Sequence, residues 1–273
     1  MTTSLKGTLV LVGAGKMGGA MLEGWLKGEI KAEQVVVLDP APPPEILDLL
    51  QKHRIRHNPA VATVKDAEVV LIAVKPQVME DVLPGVASLK ASRPLLISVA
   101  AGKTIASFAR HFGNDAAIIR TIPNTPAAIG RGITAMAANM NVSPAQIALA
   151  TELLSAIGEV VAVADETLID AATAVSGSGP AYVFYLTECL AAGGVAAGLP
   201  QDVAMQLARA TVAGAGELMR VSGQPAATLR QNVTSPKGTT HAALQVLMAE
   251  NGLEPLMKKA IDAATRRSRE LAS

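Results

Sequence analysis

The hexapeptide Gly13-Ala14-Gly15-Lys16-Met17-Gly18 follows a run of apolar, mostly β-branched residues (8–12, TLVLV) and opens a helical pattern at 17–27. No other feature constrains the fold as much. In G-x-G-x-x-G at a strand-to-helix turn, the first glycine permits the sharp turn and the second lets a pyrophosphate approach the backbone. The third lets the helix pack close to the strand, with its positive end towards the phosphates. A ligand-free glycine turn would satisfy the letters alone. The preceding strand and following helix are what the phosphate-binding mechanism requires.

The rest of the first half fits that start. Runs at 35–38, 69–74, 95–99 and 117–119 are nearly continuous in apolar residues, as strands buried on both faces are. Helical patterns at 44–53 and 104–112 lie between them. Further strands are expected at 133–137 and 160–163, with a helix at 144–157. Such alternation predicts a doubly wound α/β domain over 1–164. After Asp165 the strand-like runs stop. Helices are expected at 165–175, 180–197, 201–221, 240–251 and 254–271, forming a helical second domain over 165–273 with no Pro/Ser linker before it. Pro180 suits a first helical position, and Gly198-Leu199-Pro200 a stop and restart. Gly194 and Gly198 permit close packing in an Ala-rich helix, and Trp25 and the methionines read as core.

Composition removes several classes. Half the residues are hydrophobic, only 2% are aromatic and the net charge is +1. That leaves neither the basic face nor the stacking platform of a nucleic-acid binder, and it argues against disorder. One cysteine, Cys189, excludes an internal disulfide framework and a Cys-based zinc site. No His/Asp/Glu cluster has metal-ligand spacing, so no metal is expected. Residues 1–6 lack a signal-peptide pattern, and the longest uncharged stretch, 171–187, is broken by Ser176-Gly177-Ser178-Gly179-Pro180. A cytoplasmic protein without a membrane partner is expected. Five helices this rich in Ala, Val, Leu and Met carry more apolar face than they can hide, which points to pairing with a second copy.

Asp39 ends the second strand about twenty residues after the last loop glycine, where a carboxylate can accept hydrogen bonds from the ribose 2′-OH and repels a 2′-phosphate. It leans towards NADH, although Asp39-Pro40 is also a plain turn pair. Gly102-Lys103-Thr104 resembles the end of a P-loop but lacks the earlier glycine, the residue five before being Ile97. Ala100-Ala101-Gly102 suits the edge of a cofactor cleft instead. Lysine is absent between Lys103 and Lys237, and histidine between His111 and His241. That scarcity of strong bases disfavours alcohol oxidation and suits reduction of an already activated C=N bond. The segment Asn232-Val233-Thr234-Ser235-Pro236-Lys237-Gly238-Thr239-Thr240 precedes a helix, so hydroxyls and free N–H groups there could cradle a carboxylate. A plain N-cap at Thr240 is the alternative. His241 reads as surface, and 176–180 as a cap-like turn or a substrate-facing loop.

Val175-Ser176-Gly177-Ser178-Gly179-Pro180-Ala181-Tyr182 and the stretch 229–247 (LRQNVTSPKGTTHAALQVL) resemble the two signature segments of the Δ1-pyrroline-5-carboxylate reductase family. So do Ala73-Val74-Lys75-Pro76, Ala100-Ala101-Gly102 and Pro123-Asn124-Thr125-Pro126. The likeness runs from the glycine loop to about residue 271. It implies an N-terminal Rossmann domain, an all-α C-terminal domain that interlocks with a partner, and dimers that often assemble into decamers. It implies reduction of the cyclic imine 1-pyrroline-5-carboxylate to L-proline with NADPH or NADH, the last step of proline biosynthesis. Carried over by motif, Gly13, Ala14, Gly15, Lys16, Met17, Asn58, Ala73, Val74, Lys75, Pro76, Ala100, Ala101 and Gly102 contact the cofactor. Asn232, Ser235, Gly238, Thr239 and Thr240 contact the substrate. Thr240 becomes the preferred proton donor, with Ser235 beside it and Lys75 a secondary candidate. The resemblance also implies that Asp39 stands where NADPH-preferring members carry Ser or a basic neighbour. A β-hydroxyacid dehydrogenase-like enzyme, another imine reductase and a non-catalytic dinucleotide-binding module are the competing readings.

Overall fold

The computed structural model of the protein describes residues 5–272, so residues 1–4, part of the segment read for a signal, lie outside it. Its first half alternates as the apolar runs predict. Strands β1 (Thr8–Val12), β2 (Val35–Leu38), β3 (Arg56–His57), β4 (Ala67–Ile72), β5 (Leu95–Ser98), β6 (Ala117–Pro123), β7 (Gly132–Ala138) and β8 (Gly158–Ala162) form one sheet in the order β3-β2-β1-β4-β5-β6-β7-β8. Between them lie helices α1 (Lys16–Lys27), α2 (Pro44–Lys52), α3 (Met79–Val86), α4 (Ile105–Phe112) and α5 (Pro144–Ser155). The strands are parallel except that β7 runs antiparallel to β6. Residues 124–131 between that pair hold only a 3-10 turn, Thr125–Ile129, too short for the crossover a parallel pair needs.

Each central strand feeds two cores, which is why its sequence is continuously apolar. Leu9, Leu11, Val69, Leu71, Leu95 and Ile97 pack with Met21, Leu22, Trp25, Leu153 and Leu154 on one face. Val10, Val12, Val70, Ile72 and Leu96 pack with Met79, Leu83, Phe108 and Phe112 on the other. Fully burying one such side chain stabilises by about 1.5–3 kcal/mol. Trp25 also donates from Nε1 to the Leu153 carbonyl at 2.8 Å, so its polar atom is satisfied inside the core. Met140, Met219 and Met248 are exposed, contrary to the reading of all the methionines as core.

Three elements carried no clear pattern. Strand β3 has two residues, α3 has Pro84 in its interior, and the seven-residue helix at Ala226–Asn232 is largely polar. The helix expected at 165–175 is instead a 3-10 turn at Glu166–Leu168, a short helix α6 (Ile169–Ala172) and a π turn at Thr173–Gly177. There Thr173 and Ser176 donate their hydroxyls to the Ile169 and Ala172 carbonyls, a competition that bends helices.

The chain divides into two compact units, residues through Gly177 with those from Ala264 onwards, and Ser178–Ala263. The change of texture near 164 follows the end of the sheet at Ala162, while the first unit continues to Gly177. One reason is that Ile169 is buried against Ile122, Ala135 and Ala137 of β6 and β7.

The second unit holds α7 (Gly179–Ala196), α8 (Gln201–Ser222), α9 (Ala226–Asn232), α10 (Thr239–Leu247) and most of α11 (Leu253–Ala272). Helix α7 begins at Gly179, so Pro180 is its second residue rather than its first. A Cβ at Gly194 would lie 3.2 Å from that of Ala204, so the missing side chain lets α8 approach α7. Gly198, at φ +103°, lies beyond the helix and makes the turn into α8. Among the described residues no helix is long and apolar enough to cross a membrane.

Candidate active site

Strand β1 pairs with β2 on one side and β4 on the other, so the chain winds away in both directions from its C-terminal end. Open α/β sheets bind ligands at that switch point. The glycine loop lies there, and its three glycines are distinct. A Cβ at Gly13, whose φ is +89°, would meet Val74 Cγ1 at 2.8 Å and Val74 N at 2.9 Å. One at Gly18 would lie 2.1 Å from the Gly13 carbonyl oxygen, which only a glycine tolerates. At Gly15, the N-cap of α1, a Cβ would meet nothing within 4 Å. Gly13 and Gly18 are thus required by packing. Gly15 instead leaves open space before the first turn of α1, as a pyrophosphate needs, so the loop fits a dinucleotide.

Asp39 is more than a turn residue. Its Oδ2 accepts from the Ala14 N–H at 2.6 Å and its Oδ1 from the Ala41 N–H at 2.9 Å. Asn58 holds the Asp39 main chain: its Oδ1 accepts from the Asp39 N–H at 2.9 Å, and its Nδ2 donates to the Asp39 carbonyl at 2.7 Å. His57 Nε2 lies 2.9 Å from the same carbonyl. Asn58 adopts φ +47° to do this, a region Asn tolerates better than most residues. Each carboxylate oxygen of Asp39 keeps lone-pair capacity for a further donor.

Gly13, Gly15, Asp39, Asn58, Val74 and Lys75 line one cleft of about 590 Å³ in the first unit, with Ala73 on the same wall. Val61, Val82 and Val86 give it an apolar side that the sequence did not single out, since isolated valines carry no motif. The other residues selected from sequence do not line this cavity. Ala14 is buried within the loop, Lys16 and Met17 open α1, and Pro76 begins the turn after Lys75. Ala100, Ala101 and Gly102 leave the C-terminal end of β5, beside β4, where Val99 N–H donates to the Ile72 carbonyl at 3.1 Å. They sit on the same edge of the sheet as the glycine loop.

The hydroxyl-rich segment belongs to the second unit. Asn232 ends α9, and the Thr234 hydroxyl donates to the Arg230 carbonyl at 2.6 Å. Ser235 begins a turn closed by the Gly238 N–H on the Ser235 carbonyl at 3.0 Å, with Lys237 at φ +61°. Gly238 is the N-cap of α10, with Thr239 first and Thr240 second in the helix. Thr240 is therefore not an N-cap, and the cap makes no side-chain bond. The first intrahelical bond runs from the Ala242 N–H to the Gly238 carbonyl, so the N–H groups of Thr239, Thr240 and His241 remain for a ligand. Ser235 and Thr239 are exposed and Thr240 is half-buried. Ser178 caps α7 without a side-chain bond, and the Ser176 carbonyl is taken by Asn124 Nδ2 at 3.1 Å.

Sequence reasoning passed over Arg120, a buried cation on β6 (3% exposed) with carboxylates on both sides. An isolated arginine in an apolar run carries no recognisable motif.

Comparison with known proteins bears on the whole chain. Residues 166–271 match the family model described as pyrroline-5-carboxylate reductase dimerisation, and residues 8–102 one described as NADP oxidoreductase, coenzyme F420-dependent. A pyrroline-5-carboxylate reductase of Synechocystis sp. is 44% identical over 96% of this chain and 97% of its own. One of Pseudomonas aeruginosa is 38% identical over 97% and 96%. The solved structure of a pyrroline-5-carboxylate reductase from Coxiella burnetii superposes with a TM-score of 0.91 at 31% identity, over 98% of this chain and 100% of that one. A Plasmodium falciparum pyrroline carboxylate reductase with NADP bound gives 0.79 at 27%, over 100% of both chains. A nucleotide-ready glycine loop, a helix N-terminus with free donors and full-length identity well above 30% agree, and the chain belongs to the pyrroline-5-carboxylate reductase family.

Proposed function

We propose that this chain reduces 1-pyrroline-5-carboxylate to L-proline, with the cofactor on the first unit and the substrate held by the turn at 235–240. The observation that carries the reading is the N-terminus of α10, where the N–H groups of Thr239, Thr240 and His241 are unengaged and the cap, Gly238, brings no side chain. Such a terminus favours a carboxylate, through its donors and through the positive end of the helix. The bound nicotinamide supplies the hydride that the imine carbon accepts. The ring nitrogen must gain a proton, and the Thr240 hydroxyl is the donor in this reading, with Ser235 positioning the substrate. Gly238 keeps the turn tight enough for both. No strong base is needed, because the imine is already an electrophile.

Residues 13–17, 73–76 and 100–102 hold the cofactor in this reading, and Asp39 reads the adenosine ribose. A carboxylate pinned to the glycine loop accepts from ribose hydroxyls and repels a 2′-phosphate, so NADH is the preferred cofactor. The helical region from about 165 onwards also forms a homodimer. Phe184, Tyr185, Leu186, Leu207 and Leu218 are exposed on α7 and α8, and a partner copy would cover them. Assembly of dimers into a decamer and a cytoplasmic location complete the reading.

Oxidation of NADH and of NADPH by the purified protein with pyrroline-5-carboxylate tests it. No turnover with either cofactor would overturn the assignment, and a preference for NADPH would remove Asp39 as the discriminator.

A further inference from the structure

Arg120 lies on β6, between Ile119 and Thr121, with its side chain 4% exposed. Taking a guanidinium out of water is expensive, and an apolar residue of similar volume would often serve stability as well or better. The strand around it is otherwise built for apolar packing, with Ile118 and Ile119 fully buried. What the charge provides is geometry. Nη1 donates to Glu166 Oε1 at 3.0 Å, and Nη2 lies 3.5 Å from Asp170 Oδ1. Neither carboxylate ends the chain of contacts there.

Glu166 Oε1 also accepts from the Ile105 N–H at 2.8 Å. Ile105 opens α4, three residues after Gly102, so this carboxylate fixes the exit of the 100–104 turn. Asp170 Oδ1 accepts from the Ser268 hydroxyl at 2.7 Å, a buried bond that ties down the last turns of α11. One turn further on, the Leu271 carbonyl lies against Gly102, where a Cβ would be 3.0 Å from that oxygen. Gly102 itself is at φ +72°. One buried guanidinium thus holds the 100–102 turn from two directions, through the start of α4 and through the end of α11. All of these residues belong to the first unit.

We infer that Arg120, acting through Glu166 and through the Asp170–Ser268 pair, is a positioning residue that sets the Ala100–Gly102 turn for the cofactor. This rests on the assignment of that turn to the cofactor in the proposed function. Arg120 touches no reacting atom. It keeps the backbone at one edge of the cleft in a single arrangement, and Ser268 and Leu271 make the end of α11 part of that device.

The test is steady-state kinetics of the full chain with both substrates varied, alongside thermal unfolding. Ser268→Ala breaks only the outer link, so the unfolding midpoint should stay close to the parent. The KM for the nicotinamide cofactor should rise about 3- to 10-fold while the KM for pyrroline-5-carboxylate stays within about twofold. Glu166→Ala should raise the cofactor KM in the same way, and should also lower the unfolding midpoint, because it leaves the buried Arg120 without its nearer partner. Glu166→Gln, whose amide oxygen can still accept from Ile105 and Arg120, should recover most of the loss. Gly102→Ala probes the turn itself. If it leaves the cofactor KM unchanged, the turn does not serve the cofactor and the inference falls with that assignment. If Gly102→Ala raises that KM while Ser268→Ala and Glu166→Ala do not, the cofactor assignment stands and the positioning role is wrong. Equal changes in both KM values, or a loss of unfolding temperature without a cofactor effect, would make the network purely structural and also overturn it.

Discussion

The Asp39 carboxylate reaches back to the glycine loop, accepting from the Ala14 N–H at 2.6 Å. Twenty-five residues apart in sequence, the two meet because β1 and β2 are parallel neighbours whose C-terminal ends are in register, Val12 opposite Leu38. Asp39 therefore sets the loop, in addition to the ribose contact proposed for it. Asp39→Ser should raise kcat/KM with NADPH relative to NADH by about tenfold, roughly 1.4 kcal/mol of discrimination. An unchanged ratio in paired assays would show that another group reads the 2′ position.

Two glycines of one loop should respond oppositely to alanine. Gly18→Ala drives a methyl to 2.1 Å from a backbone oxygen that cannot move cheaply. It should destabilise by about 2 kcal/mol or more, an unfolding midpoint lower by roughly 4–8 °C. Gly15→Ala places its methyl in open space, so the midpoint should hold while cofactor KM rises. Calorimetry and cofactor titration on the same pair check both halves, and parallel behaviour of the two variants would contradict the division of roles.

Thr240→Ala removes the hydroxyl at the second position of α10 but no capping bond, because Gly238 is the cap. Helix stability should change little, while kcat falls by about 10²-fold, the usual effect of losing a general acid. Unchanged turnover in the variant would take Thr240 out of the chemistry.

Glu80 on α3 gives the 100–104 turn a further, pH-dependent tie. Its carboxylate accepts from Lys103 Nζ at 3.1 Å and lies 3.5 Å from His111 Nε2. The Lys103 ammonium, and then His111, hold its pKa below the ordinary glutamate value of 4.5. A carboxyl with a lowered folded-state value stabilises above its unfolded value and loses that contribution as pH falls through the folded one. Wild type should therefore unfold at a slightly higher temperature than Glu80→Gln at pH 7, and the two should converge as pH falls below 4.5 and through the lowered folded-state value. The carboxylate is more than half exposed, so added salt should narrow the gap at neutral pH. A difference that grew with acidity would contradict this.

The sheet was legible because its strands advertise themselves. Residues 9–12 and 95–97 are buried on both faces, and such a strand has almost no way to spell itself except as an unbroken apolar run. The short β3, the proline-bearing α3 and the π turn at Thr173–Gly177 left no such mark, because each is fixed by its neighbours rather than by its own propensity. The reversal of β7 against β6 was likewise set by the length of the connection, not by the residues in the strands.

At the site the same line divides the two kinds of information. The glycine loop, the turn at 235–240 and Asp39 are local signals, since a tight turn, a helix start and a strand end must each be written where they occur. That was enough for the sequence alone to determine the α/β class, the glycine loop between β1 and α1, and a helix start flanked by hydroxyls. Only the tertiary structure decided that Asn58 spends its amide on the Asp39 main chain, that Thr240 lies inside α10 rather than capping it, and that Arg120 joins Glu166, Asp170 and Ser268. These contacts join residues on separate elements, 46 positions apart for Arg120–Glu166 and 98 for Asp170–Ser268. No periodicity in the chain encodes such a meeting; packing of the sheet and its flanking helices brings it about.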